Sequence, residues 1–230
     1  MKPRQERLDY INKECNTNYK FLREVDWHYI SRVPTLSEDF IREFKNNVNW
    51  IWISQYQKLS ESFIREFQNK VDWWFISIHQ KLSETFIREF QNKVNWWNIS
   101  YYQTLSEPFI REFADKVNWQ LISYRQKLTE NFISEFADKV EWDFISRHQQ
   151  LSEPFIRKFA DKVNWEMISK YQNLSDNLIR NFQDKLDWWY ISEFQNLSKD
   201  LLREFKHRID WSTYLNREDI LSIVIDKLIN

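Results

Sequence analysis

The sequence predicts an all-α protein, an α-solenoid of about eight to nine two-helix repeats, each 23 residues long, with a cap at each end. Three observations support this prediction: a constant 23-residue period, two helix-start signals in each period, and the absence of glycine from all 230 residues. Glycine-rich phosphate-binding turns and the nucleophile elbow of hydrolases need backbone conformations that other residues resist. The composition therefore excludes these sites.

Tryptophan marks the repeat. It recurs nine times at a spacing of 23 residues, and isoleucine and serine follow three and four positions later in the first eight copies. Repeats of this length cannot bury their apolar faces alone, so they stack on one another. The repeat tryptophans are Trp27, Trp50, Trp73, Trp96, Trp119, Trp142, Trp165, Trp188 and Trp211. We expect an N-terminal cap over residues 1–18, repeats over 19–219 and a C-terminal capping helix over 220–230.

Each repeat contains two signals for the start of a helix. The first is a serine or threonine such as Ser37, which precedes an apolar helical stripe that begins at Phe40 and Ile41. The second is the Asp, Asn or Glu before the repeat tryptophan, such as Asn49, which opens a shorter helix. Between the two helices we expect an Asn or Asp to take the left-handed turn usually given to glycine. These residues are Asn46, Asn69, Asn92, Asp115 and their equivalents.

Composition and charge favour a non-enzymatic protein without metal or cofactor. The 33 basic and 34 acidic residues give a net charge of −1, which argues against a general nucleic-acid binder. The single cysteine, Cys15, excludes an intrachain disulfide, and the scattered histidines form no metal-binding pair. No segment resembles a secretion signal or a membrane span, so we expect a soluble, intracellular protein without a membrane partner.

Two runs in the repeat resemble a known group of sequences. Residues 59–67 read Leu-Ser-Glu-Ser-Phe-Ile-Arg-Glu-Phe, and residues 69–77 read Asn-Lys-Val-Asp-Trp-Trp-Phe-Ile-Ser. Both are similar to the short tandem helical repeats of proteins from amoeba-infecting giant DNA viruses, and the resemblance covers about residues 20–211. It implies a viral origin, a location in the host cytoplasm or the virion, and a repeat-array role. It implies no catalytic residue.

Positions that keep the same polar residue in all or nearly all repeats are expected to serve the repeat itself. We expect the recurring serines and glutamines to hydrogen-bond helix ends and neighbouring repeats, and the recurring arginines to pair with nearby acidic residues. The alternatives are a polar ladder for an extended ligand and a row of phosphate-binding cations. The rows are Ser54, Ser77, Ser100, Ser123, Ser146, Ser169 and Ser192; Gln57, Gln80, Gln103, Gln126, Gln149, Gln172 and Gln195; and Arg42, Arg65, Arg88, Arg111, Arg157, Arg180 and Arg203.

Two variable positions on the second helix predict a binding surface. They lie one and five residues after the repeat tryptophan, on one helix face, and change from aromatic in early repeats to charged residues such as Asp143 and Glu166. Exposed neighbouring aromatics commonly anchor protein interfaces. The alternative is partial burial under a neighbouring repeat or a cap. The position between them, two after the tryptophan, is expected to face the core. The candidate partner-binding residues are Ile51, Trp74, Ile78, Trp97, Tyr101 and Tyr124.

The predicted function is a non-enzymatic repeat scaffold for protein–protein interaction, with an unidentified protein partner. One alternative is a structural protein that self-assembles through its apolar end units. A second is single-stranded nucleic-acid binding, in which aromatic side chains stack on bases and the arginines follow the phosphates. The net charge of −1 makes this second alternative the weaker one.

Overall fold

A computed structural model describes residues 3–33 and 35–217 of the chain. The described residues form short helices joined by turns and contain no strand. The chain divides into two compact units, Met1–Asn118 and Trp119–Asn230, and each unit is a stack of two-helix repeats. The predicted all-α repeat fold is therefore confirmed. The predicted capping helix over residues 220–230 lies outside the described residues.

The helices follow the 23-residue period from Trp27 to Leu215. The first helices of the repeats are Glu38–Glu43, Glu61–Glu66, Glu84–Glu89, Glu107–Glu112, Glu130–Glu135, Glu153–Lys158, Asp176–Asn181 and Lys199–Glu204. The second helices are Trp27–Ile30, Trp50–Tyr56, Trp73–His79, Trp96–Tyr102, Trp119–Arg125, Trp142–His148, Trp165–Tyr171, Trp188–Phe194 and Trp211–Leu215. None of the helices in the described part of the chain is both long and apolar enough to cross a membrane.

A longer helix, Arg4–Cys15, and a 3-10 turn, Leu22–Glu24, precede the repeats. The helix packs on the first repeat through Tyr10, whose ring centre lies 5.3 Å from that of Phe40 in an edge-to-face arrangement. Cys15 is buried at the end of this helix, and burial together with the nearby Glu14 raises the pKa of its thiol to about 11. This thiol therefore stays protonated and weakly nucleophilic at neutral pH.

Side-chain caps begin both helices of the repeat, as the sequence predicts. Ser37 Oγ accepts a hydrogen bond from the backbone N–H of Phe40 at 3.3 Å, and the equivalent residues cap the other first helices. Asn49 Oδ1 accepts from the N–H groups of Ile51 and Trp52 at 3.0 and 3.3 Å. Glu141, the exception in the sequence pattern, makes no side-chain cap bond. Short polar side chains thus replace glycine-dependent turns as boundary signals.

The prediction of a left-handed turn between the helices is wrong. Among the described residues only Asn16 and Thr35 have a positive φ, so Asn46 and its equivalents do not take this conformation. The N–H groups of Asn47 and Val48 instead both donate to the carbonyl of Phe44, at 2.8 and 3.1 Å, and continue the helix as right-handed turns. The chain reverses without a left-handed residue, and glycine is not needed there.

Neighbouring repeats complete each other's core. Phe40, Ile41 and Ile53 are fully buried, and within each unit the second helix of a repeat packs on that of the next. Trp50 is half buried: its Nε1 donates to the Lys45 carbonyl at 3.0 Å, and its ring centre lies 4.9 Å from that of Phe67 in the next repeat. Because the tryptophan of one repeat packs on the phenylalanine of another, stability comes from stacking.

Candidate interaction surface

The recurring serines and glutamines hold the repeats together. Ser54 Oγ donates to the Trp50 carbonyl at 2.7 Å and accepts from the N–H of Asp72 in the next repeat at 2.9 Å. Gln80 Nε2 donates to the Ser54 and Gln57 carbonyls at 3.3 and 2.8 Å, and its Oε1 accepts from the Leu59 N–H at 2.9 Å. Both side chains bond backbone groups that the packing buries. The predicted structural role of these two rows is confirmed.

The recurring arginines pair with acidic residues, mainly across repeats. Arg42 Nε donates to Glu66 at 2.8 Å and Arg65 Nε to Glu89 at 2.7 Å, and the Arg42 guanidinium also lies 5.0 Å from the centre of the Phe63 ring. The pairing with the glutamate four residues earlier, which the sequence predicts, is also present: Arg42 lies 3.3 Å from Glu38 and Arg65 lies 3.8 Å from Glu61. These arginines are held in ion pairs and do not form a free row for phosphates.

One of these ion pairs shifts the pKa of both partners. Arg88 bonds Glu112 through two guanidinium nitrogens, which lowers the pKa of the glutamate and raises that of the arginine. The glutamate at the helix start bonds the next repeat as well as its arginine. Glu38 Oε1 accepts from the Ser60 N–H of the next repeat at 2.6 Å.

Five of the six candidate binding residues lie on three consecutive second helices of the first unit. We call this set the ridge, and it consists of Ile51, Trp74, Ile78, Trp97 and Tyr101. Trp74 is 51% exposed, and Trp97 and Ile51 are each 48% exposed, whereas Ile78 and Tyr101 are half buried. The rings of Trp97 and Tyr101 stack with centres 5.8 Å apart and planes 6° apart. Stacking of neighbouring repeats therefore leaves the two tryptophans accessible.

The sixth candidate, Tyr124, belongs to the second unit. It is 36% exposed, and its ring centre lies 5.4 Å from that of Phe144 and 4.9 Å from that of His148. Tyr124 is therefore part of an aromatic cluster within its own unit, and we describe it separately from the ridge.

The position two residues after the repeat tryptophan lies mostly at the edge of the core, whereas the sequence predicts that it faces the core. Trp52 and Phe75 are half buried and pack on Tyr56 and His79, with ring centres 5.7 and 6.0 Å apart. The core side of the helix is taken by the next residue along, the fully buried isoleucine row that includes Ile76. The four-residue spacing within the second helix could have indicated these pairs, because side chains at i and i+4 are neighbours.

Asn98 occupies this same position on the helix that carries Trp97 and, unlike Trp52 and Phe75, is fully buried. Its Nδ2 donates to the Trp74 carbonyl at 3.2 Å, whereas its Oδ1 has no hydrogen-bond partner among residues 3–33 and 35–217. The bond ties the helices that carry the two exposed tryptophans of the ridge.

Two equivalent positions in the second unit carry charge. Asp143 and Glu166 are exposed where the first unit has tryptophan, and Asp143 Oδ1 accepts from Asn164 Nδ2 at 2.7 Å. The Lys170 ammonium lies 5.0 Å from the centre of the Tyr190 ring. His148 packs on Phe144, and burial together with the positive charge of Arg147 lowers its pKa. The same fold thus carries two chemically different surfaces.

No group of three or more His, Cys, Asp or Glu side chains that could hold a metal ion occurs among the described residues. The chain also matches no protein family, no curated protein and no solved structure. The resemblance to repeat proteins of giant viruses therefore stays a prediction.

Proposed function

We propose that the chain is a non-enzymatic scaffold that binds a protein partner through the ridge of its first unit. One observation carries this proposal. Trp74 and Trp97 are about half exposed at a position where the same fold accepts Asp143 and Glu166. The fold does not require tryptophan there, so the aromatic surface has another use.

The ridge has the chemistry of a binding surface. Tryptophan and tyrosine supply large contact areas with few rotatable bonds, and they dominate the energetics of protein interfaces. The Trp97–Tyr101 stack restricts both rings before any partner arrives, which lowers the entropy lost on binding. The recurring serine, glutamine and arginine side chains already hold the repeats together, and this favours a scaffold over an enzyme.

The proposal is tested by selection from a displayed library of random peptides on the immobilised protein. The wild type is expected to enrich a family of sequences, and the double variant Trp74→Ala, Trp97→Ala is expected to lose them. Trp189→Ala is the matched control, because Trp189 is 49% exposed at the same position of a repeat in the second unit.

Equal enrichment by the wild type and the double variant would contradict the ridge as the binding surface. Loss of enrichment with Trp189→Ala as well would assign binding to exposed tryptophan in general. Self-assembly, the alternative function, predicts instead that the mass of the wild type in sedimentation rises with protein concentration. It also predicts that library peptides do not compete with this self-association.

A further inference from the structure

We infer that the segment bound by the ridge is an extended acidic peptide, whose carboxylates pair with exposed cations beside the ridge. This inference rests on the proposed function and adds the chemistry of the partner. The cations are Arg32, Lys58 and Lys81, which we call the cationic edge; all three are exposed, and the Arg32 guanidinium lies 4.3 Å from the centre of the Trp52 ring. Lys58 and Lys81 directly follow Gln57 and Gln80 of the recurring glutamine row, which we call the glutamine ladder. Arg32 lies five residues after the first repeat tryptophan.

The first argument is charge segregation within the first unit. The four stretches that contain its second helices and the residues after them, 27–36, 50–59, 73–82 and 96–105, include no Asp or Glu. Acidic residues of the first helices are occupied: Glu61 accepts from the Ser83 N–H at 2.6 Å, and Glu66 pairs with Arg42. Asp26 and Asp72 directly precede two of these stretches, and their carboxylates accept from the first N–H groups of the helices that they cap. Within the four stretches the only Asp, Glu, Lys or Arg residues are the three cations, although the whole chain has a net charge of −1.

The second argument is that the lysines of the cationic edge have no partner. Lys58 and Lys81 are exposed, and neither makes a hydrogen bond or ion pair within the described residues. The lysines between the two helices behave differently: Lys93 Nζ bonds Gln68 Oε1 at 2.8 Å and Asn69 Oδ1 at 3.0 Å. A carboxylate could therefore pair with Lys58 or Lys81 without breaking an existing contact.

The third argument is the shape of the surface between the lysines. Two depressions of about 420 and 350 Å³ lie at consecutive repeats, and both are lined by His79, Gln80 and Lys81. Lys58 and Tyr56 complete the first depression, and Ile78 of the ridge lines the second. Because the depressions share residues and follow the repeat, they suit an extended chain that places successive side chains in them.

The small number of cations outside ion pairs favours a peptide over a nucleic acid. A nucleic-acid strand carries a charge on every nucleotide and is normally neutralised by many Lys and Arg contacts. Here the arginine row is held in ion pairs such as Arg65–Glu89 at 2.7 Å. Three cations beside a row of apolar anchors match an acidic peptide with a few carboxylates and aromatic or aliphatic side chains.

The test uses the full-length chain and the peptides that the wild type selects from the random library. These peptides are expected to contain more Asp and Glu than Lys and Arg, together with apolar residues. Fluorescence anisotropy with a labelled selected peptide is expected to show about tenfold weaker binding for Lys58→Glu, Lys81→Glu, and weaker binding at higher salt. The control Lys20→Glu, Lys45→Glu makes the same charge change at exposed lysines outside the cationic edge and is expected to bind like the wild type.

Three results would overturn the inference. Selected peptides that depend on Trp74 and Trp97 but are neutral or basic would refute the acidic partner and leave the proposed function intact. The same holds if reversing Lys58 and Lys81 does not weaken binding. A random single-stranded oligonucleotide pool that binds through the same residues, while no peptide is enriched, would refute both proposals and assign a nucleic-acid ligand.

Discussion

The second-helix surfaces of the two units differ although the scaffold beneath them is the same. The rings of Trp73 and Phe90 in the first unit lie 5.0 Å apart, and so do those of Trp142 and Phe159 in the second. Gln80 and Gln149 each bond the preceding glutamine carbonyl at 2.8 Å. The comparison teaches that the core and the glutamine ladder define the repeat. The positions one and five residues after the repeat tryptophan, which we call the outer positions, vary independently of them.

The outer positions do not change steadily along the chain. Trp189 in the second unit again places an exposed tryptophan after the repeat tryptophan, but its helix also carries Glu193. In the first unit the ridge tryptophans lie on helices without an acidic residue. The combination of exposed aromatics with unopposed cations, rather than the presence of tryptophan alone, distinguishes the first unit.

The largest effects are expected in the shared core. Phe86→Ala in the first unit and Phe132→Ala in the second should each lower the free energy of unfolding by about 3–5 kcal/mol, because both rings are almost fully buried and their loss leaves a cavity. Urea denaturation followed by circular dichroism measures the change. A cost below about 1 kcal/mol in one unit would show that the two cores are not equivalent.

Smaller effects are expected in the glutamine ladder. Gln80→Ala or Gln149→Ala removes the partners of buried backbone groups, and each should lower the free energy of unfolding by about 1–3 kcal/mol. Gln120→Ala, at an exposed outer position, is the control and should change it by less than about 0.5 kcal/mol. Equal effects for ladder and control would contradict the structural role of the ladder.

The smallest expected effect is a pH dependence of stability that comes from His148 in the second unit. Because the pKa of His148 is lowered in the folded state, the unfolded state takes up the proton first, and stability falls as the pH drops below the ordinary histidine value of 6.5. His148→Tyr, which places the residue found at Tyr171 of the next repeat, should remove this contribution. The difference in urea midpoint between the two proteins should therefore grow from about pH 8 to about pH 5. An unchanged difference would contradict the assigned shift.

The sequence predicts most of the scaffold because its signals are local. Ser37 and Asn49 lie within three residues of the N–H groups that they cap, and Ile53 falls on the buried side of its helix by spacing alone. Exposure at Trp74 and Trp97 was inferred because equivalent positions hold Asp143 and Glu166.

Contacts between repeats could not be predicted in the same way. The Arg42–Glu66 pair and the bond from the Ser60 N–H to Glu38 depend on how one repeat is rotated onto the next, which the pattern within a repeat does not specify. The left-handed turn that the sequence predicts after Phe44 does not form, because the N–H groups of Asn47 and Val48 both bond the Phe44 carbonyl and keep the backbone right-handed. The same holds for the lysines: Lys93 has partners in the preceding repeat whereas Lys58 and Lys81 have none in the part of the chain that the structure describes, and this difference depends on the stacking of repeats.

The most direct test of the account measures binding and stability on the same variant. Trp74→Ala, Trp97→Ala should bind a peptide selected by the wild type at least about tenfold more weakly, while its free energy of unfolding stays within about 1 kcal/mol of the wild type. This result would separate a binding surface from the scaffold that carries it. Unchanged binding, or a loss of stability as large as that of Phe86→Ala, would contradict the central claim.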